Sequence, residues 1–115
     1  MNRILVIEDS PAIALLLRRR LEMAGHQVDV VSNGIDALEE LDARLPDLVL
    51  ADVTMPGLDG LETLDRIRER HGELPVILVT AQDLRPDERR KADAVFAKPI
   101  EFEPLLIAIS RLVHE

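Results

Sequence analysis

The 115-residue chain has no cysteine, no tryptophan and no tyrosine, and its only aromatic rings are Phe96 and Phe102. Without thiols there is no disulfide framework, no thiolate nucleophile and no cysteine-based metal site. Two rings are too few for stacking on nucleic-acid bases. Positive charge is also short: 14 Lys and Arg stand against 22 Asp and Glu, and the longest basic run, Arg18-Arg19-Arg20, reads as a solvated helix face. Nucleic acid and anionic membrane surfaces are therefore not expected as partners. No apolar run approaches the ~20 residues a membrane span requires. The opening "MNRILVIEDS" enters a strand rather than a signal peptide. A cytoplasmic setting is the expectation. His26, His71 and His114 share no ligand-like spacing and read as surface residues.

What the chain does have is an alternation. Strand-like runs at 3–7, 27–31, 47–51, 75–80 and 94–97 alternate with helix-like segments. The runs beginning at Ile4, Leu48 and Val76 are almost continuously apolar, as expected of strands covered on both faces of a parallel sheet. "QVDVV" (Gln27 to Val31) is amphipathic and "AVFA" (Ala94 to Ala97) is short, so both suit the sheet edges. Helices are expected over 11–24, 34–44, 60–70 and 104–114, with Pro11 and Pro104 in first turns and Gly25 just past an end. Ile13, Leu16, Leu17, Leu21 and Ala24 form the expected buried stripe of the first helix, with Arg20 beside it, its stem packed and its head reaching water. A helix between Pro86 and Lys91 has barely two turns available. Five βα units over residues 1–115 predict one doubly wound α/β domain with right-handed crossovers, and no output domain in the chain.

Ligands of such folds bind beyond the carboxyl ends of the strands. There the sequence places Glu8-Asp9 after the first strand, Asp52 after the third, Thr80 at the end of the fourth and Lys98-Pro99 after the fifth. Three converging carboxylates repel unless a cation sits among them. A hard divalent ion with oxygen ligands, Mg²⁺ or Mn²⁺, resolves this. Metal, ammonium and hydroxyl around an attacking carboxylate are the equipment of phosphoryl transfer.

The set Glu8-Asp9, Asp52, Thr80-Ala81 and Lys98-Pro99, with "MPGLDG" following the central aspartate, resembles the receiver domain of bacterial two-component response regulators. The resemblance spans residues 3 to about 113. It implies a flavodoxin-like (CheY-like) sheet of order 2-1-3-4-5, about five helices, and a phosphoryl group received on Asp52 from a sensor histidine kinase or phosphotransfer protein. Asp9 matches the direct metal ligand, Glu8 the acidic partner acting through water, and the Thr54 backbone carbonyl the remaining protein ligand. Lys98 would pair with phosphoryl oxygens, and Thr80 would swing in to hydrogen-bond one of them. Phe96 stands at the aromatic switch position, and the Lys98-Pro99 bond is commonly cis in this family. Such a chain is a signalling module that assists its own phosphorylation and dephosphorylation rather than a conventional enzyme.

The stretch from Thr80 to Lys98 is about one helical turn shorter than in a typical receiver, so a reduced fourth helix is expected. Many receivers dimerise or signal through the face made by the fourth helix, the fifth strand and the fifth helix, so the usual output surface is expected to be altered here. Here the expected state is a monomer or a phosphorylation-dependent homodimer. The fifth helix carries Leu105, Leu106, Ile107, Ala108 and Ile109 in a row, more than one face can bury. Either Leu106 or Ile107 is exposed, or one of them covers core left open by the short helix. Ala12, Ile13, Leu15, Pro99 and Ile100 form the expected partner surface. Two other readings stay open. A phosphorylation-silent receiver would serve as a constitutive binding module. A phosphatase of the haloacid-dehalogenase kind also uses a strand-end Asp, a Lys and Mg²⁺, but wants a second Asp where Thr54 stands. A nucleotide-binding Rossmann domain fails for want of a Gly-rich loop after the first strand.

Overall fold

Five parallel strands, β1 (Arg3–Ile7), β2 (Gln27–Val31), β3 (Leu48–Asp52), β4 (Val76–Thr80) and β5 (Ala94–Ala97), form one sheet of order β2-β1-β3-β4-β5. The computed structural model describes residues 2–53 and 59–113. Every residue of β1, β3 and β4 is buried, and the partly exposed β2 and β5 lie at the edges. The continuous apolar runs and the amphipathic one are thus sorted as their hydrophobicity predicts.

Alternate residues of each strand feed two cores, one on each face of the sheet. On one face Ile4, Val6, Leu48, Leu50, Ile77 and Val79 pack with α1 (Pro11–Met23) and α5 (Phe102–Val113). On the other, Leu5, Ile7, Val49, Ala51, Val76 and Leu78 pack with α2 (Gly34–Ala43) and α3 (Gly60–Arg70). Local sequence sets the helix starts. The side chains of Ser10, Asn33 and Asp59 cap α1, α2 and α3 by accepting backbone N–H bonds from Ile13, Asp36 and Glu62, each worth about 1 kcal/mol. Gly25, at φ +98°, turns the chain out of α1.

The packing of α1 departs from expectation, and that of α5 selects one of the expected alternatives. In α1 the buried residues are Ala14, Leu17 and Leu21; Leu16 is 49% exposed and Ala24 lies on the surface. The small Ala14 lets the helix approach the sheet, and this rotation turns Leu16 outward. The Arg20 guanidinium, expected to reach water, lies 4.4 Å from the centroid of the Phe102 ring. In α5, which begins at Phe102, two residues before the expected start, Leu105 and Ile109 are buried, and Ile107 is the residue left half-exposed.

The fourth helix is one turn, α4 (Pro86–Arg89), and buries nothing. Leu84 anchors the loop before it in the α2/α3-side core. The return to β5 is stapled to α3. Arg68 donates to the carbonyls of Gly72, Leu74 and Lys91 and to Asp93, while Lys91 pairs with Asp65 at 2.9 Å. Asp93 also accepts the Val76 N–H at 2.8 Å, fixing where β4 begins.

Candidate functional site

The carboxyl ends of β1, β3, β4 and β5 bring Glu8, Asp9, Asp52, Thr80 and Lys98 to one edge of the sheet. Oxygens of Glu8, Asp9 and Asp52 lie within 4.8 Å of one another. Glu8 and Asp52 are buried, whereas Asp9 is exposed and opens the cluster to solvent. Lys98 reaches over from the end of β5, its Nζ 3.2 Å from Asp52 Oδ2 and 3.9 Å from Glu8 Oε1. Its peptide bond to Pro99 is cis, as the resemblance implies.

One ammonium does not balance three carboxylates. Burial pushes the Glu8 carboxyl above the ordinary carboxylate range, and the nearby Asp52 charge adds to this. The Ser10 N–H and Lys98 pull in the opposite sense. The Ser10 N–H donates to Glu8 Oε2 at 3.1 Å, which holds Glu8 in place while Ser10 Oγ caps α1. An all-oxygen donor set, crowded and under-neutralised, fits a hard divalent cation such as Mg²⁺. The Thr54 carbonyl, expected as a further ligand, lies outside the described residues, as do Pro56 and Gly57.

Thr80 is buried at the end of β4, and its hydroxyl accepts the Gln82 N–H at 2.9 Å. The hydroxyl therefore holds the first turn of the loop leading to α4. Phe96, on β5, is half-buried against the α1/α5-side core and shares a groove with Pro104, Ile107 and Ala108.

Gly60 has a role that spacing alone did not reveal. Its N–H donates to the Val53 carbonyl at 2.9 Å, so the start of α3 lies directly against the end of β3. A Cβ there would fall 2.6 Å from Val53 Cα and collide with the Asp52 carbonyl oxygen. Glycine thus lets α3 begin immediately behind the carboxylate that sits at the centre of the site.

An apolar groove of about 460 Å³ opens beside Lys98, lined by Ile13, Leu16, Leu17, Pro99, Ile100 and Phe102. It contains three of the five expected partner-surface residues. Ala12 and Leu15 are exposed but do not line it, because the rotation of α1 puts Leu16 there instead.

The sequence profile described as the response regulator receiver domain matches residues 4–110. The chain belongs to that family. Its members include the uncharacterized transcriptional regulatory protein YkoG of Bacillus subtilis, 41% identical over 99% of this chain and 52% of that protein. The response regulator MprA of a Mycobacterium species is 36% identical over 97% of this chain and 50% of that protein. The chain thus spans about half the length of these curated relatives. Among solved structures, the response regulator TrrA of Thermotoga maritima, crystallised with Mg²⁺-BeF, superposes with a TM-score of 0.91. It is 34% identical, and the match covers 97% of this chain and 99% of TrrA. The sheet order and the two-component phosphoacceptor character expected of a receiver are therefore those of this chain.

Proposed function

We propose that this receiver takes a phosphoryl group onto Asp52 from the phosphohistidine of a sensor histidine kinase or phosphotransfer protein. The observation that carries the reading is the cluster of Glu8, Asp9 and Asp52 within 4.8 Å, closed on one side by Lys98. An Asp52 oxygen attacks phosphorus as the phosphorus–nitrogen bond breaks. The bonding pair returns to the imidazole nitrogen. Asp9, Asp52 and the Thr54 carbonyl would hold Mg²⁺ (or Mn²⁺), with Glu8 acting through water. The bound ion supplies charge neutralisation to the carboxylates and the phosphoryl oxygens. Lys98 orients the Asp52 carboxylate and then faces the new negative charge. Thr80 gives up its bonding within the Gln82 turn to donate to a phosphoryl oxygen, and Phe96 follows as the switch residue. The domain assists its own phosphorylation and hydrolysis, acts in the cytoplasm, and is a signalling module rather than a turnover enzyme. Among the described residues no helix is long and apolar enough to cross a membrane.

The groove beside Lys98 supports the partner half of this reading. Its apolar lining of Ile13, Leu16, Pro99 and Ile100 suits a helix that presents a phosphohistidine to Asp52. TrrA was crystallised with Mg²⁺-BeF, so a fluoroberyllate offers a direct test. Fluorine NMR of this chain with beryllium fluoride is expected to show a bound signal that requires both Mg²⁺ and Asp52. A bound signal that persists in Asp52→Asn would refute the assignment of Asp52.

A further inference from the structure

Ser10 joins the acidic cluster to the groove beside Lys98. It is the N-cap of α1, and its Oγ accepts the Ile13 N–H at 3.4 Å, whereas Asn33 and Asp59 hold their helix starts at 2.8 Å. Its own N–H donates to Glu8 Oε2 at 3.1 Å. In a capping box, an acid or amide at the third helical residue accepts that N–H and completes the cap. In α1 the third residue is Ile13, an apolar side chain that lines the groove, and the first turn contains no acid. Glu8, buried just upstream, stands in for the missing acceptor. One carboxylate of the cluster thus completes the cap of the helix that walls the groove. The opposite wall also starts at the site, because Pro99 and Ile100 follow Lys98 directly.

We infer that Ser10 is a positioning residue through which a cation in the acidic cluster tightens the first turn of α1, and with it the Ile13 wall of the groove. The inference rests on the phosphoacceptor reading, since it takes the cluster to hold a divalent ion. Glu8 offers one oxygen, Oε1, on the side of Lys98 and the other, Oε2, to Ser10. Engaging Oε1 at the ion stops the carboxylate from swinging and keeps Oε2 against the Ser10 N–H. A fixed Ser10 keeps its Oγ on the Ile13 N–H and its carbonyl on the Ala14 N–H. The cap of α1 is the slackest of the three, so it has the most order to gain. By linkage, whatever packs on the tightened wall favours the ion in return.

Native-state hydrogen exchange in Mg²⁺ and in EDTA tests it. In the wild type Mg²⁺ should slow exchange at the Ser10 and Ile13 amides about fivefold more than at the far end of α1. Asp9→Asn, which removes a carboxylate from the cluster, should lose that excess. Ser10→Ala keeps the N–H and discards the hydroxyl, so the response should persist at position 10 and vanish at Ile13. Ser10→Thr retains a capping hydroxyl and should restore both. A cap that only supported the helix would change these rates equally in the two buffers. Thermal melts show that each variant is folded and whether Mg²⁺ stabilises it. A wild type stabilised by Mg²⁺ with no excess at Ser10 and Ile13 would overturn the inference and leave the phosphoacceptor reading standing. So would a Ser10→Ala variant in which Ile13 still responds in full. A wild type that Mg²⁺ does not stabilise would remove the reading and the inference together.

Discussion

Lys98 and Asp52 form a 3.2 Å ion pair between the ends of β5 and β3, strands that β4 separates in the sheet. The pair spans the end of β4, where Thr80 sits, and it brings Lys98 within 3.9 Å of Glu8 as well. A charge change at Asp52 therefore bears at once on three strand ends. The arrangement also sets the Lys98 ammonium directly against the carboxylate at the tip of a fully buried strand.

Replacing Lys98 by Met leaves Glu8 and Asp52 buried without their ammonium. Unpaired buried charge is costly, but the Lys98 side chain is 24% exposed and Asp9 opens the site to water. A loss of about 2 kcal/mol is expected in EDTA. Mg²⁺ should recover much of it, since the ion takes over the neutralisation. Urea unfolding in the two buffers measures both effects; equal losses in each would show that the lysine acts elsewhere.

Mg²⁺ should stabilise the wild-type domain and leave Asp9→Asn nearly unmoved. At ten times its dissociation constant a bound ion contributes about 1.4 kcal/mol, a rise of roughly 6 °C in Tm for a domain of this size. Asp9 is exposed, so its amide should fold as the wild type does. Thermal melts with Mg²⁺ and with EDTA give the comparison. A full Mg²⁺ response in Asp9→Asn would remove this residue from the ligand set.

Gly60→Ala should damage stability and site together. The added methyl meets backbone atoms of Asp52 and Val53, which cannot rotate away as a side-chain tip can. About 3 kcal/mol of destabilisation is expected from such overpacking. Slower modification of Asp52 should accompany it, because α3 would push on the strand end that carries the carboxylate. An alanine variant with wild-type stability would mean that the contact between α3 and β3 is looser than described.

Arg68 staples the shortened crossover to α3 through the Lys91 carbonyl and Asp93, and holds the loop between α3 and β4 through the Gly72 and Leu74 carbonyls. Its planar fork serves these acceptors in different directions, which a lysine ammonium cannot do. Arg68→Ala and Arg68→Lys should therefore both cost about 2 kcal/mol. Hydrogen exchange should rise at the Asp93 and Val76 amides, whose bonds depend on the staple. Rescue by lysine would show that only the positive charge matters.

The sheet was legible because β1, β3 and β4 are apolar on both faces and end in polar residues of contrasting kind. The site followed from those ends, since parallel strands deliver their carboxyl termini to one edge. Helix rotation was less legible. "AIALLL" in α1 offers apolar residues in nearly every direction, so periodicity could not decide between Leu16 and Ala14; close approach to the sheet selects the smaller residue. "LLIAI" in α5 posed the same ambiguity, and burial of Leu105 and Ile109 resolves it by leaving Ile107 outside. Gly60 and Arg68 act through contacts between distant parts of the backbone, which leave no pattern in a linear sequence.

If Asp52 carries the phosphoryl group, intact mass reports it directly. Incubation with acetyl phosphate and Mg²⁺ should add one phosphoryl mass to the wild type. The adduct should be absent when EDTA replaces Mg²⁺ and absent in Asp52→Asn at any time. An adduct of equal yield in Asp52→Asn, or none in a folded wild-type protein shown to bind Mg²⁺, would contradict the account.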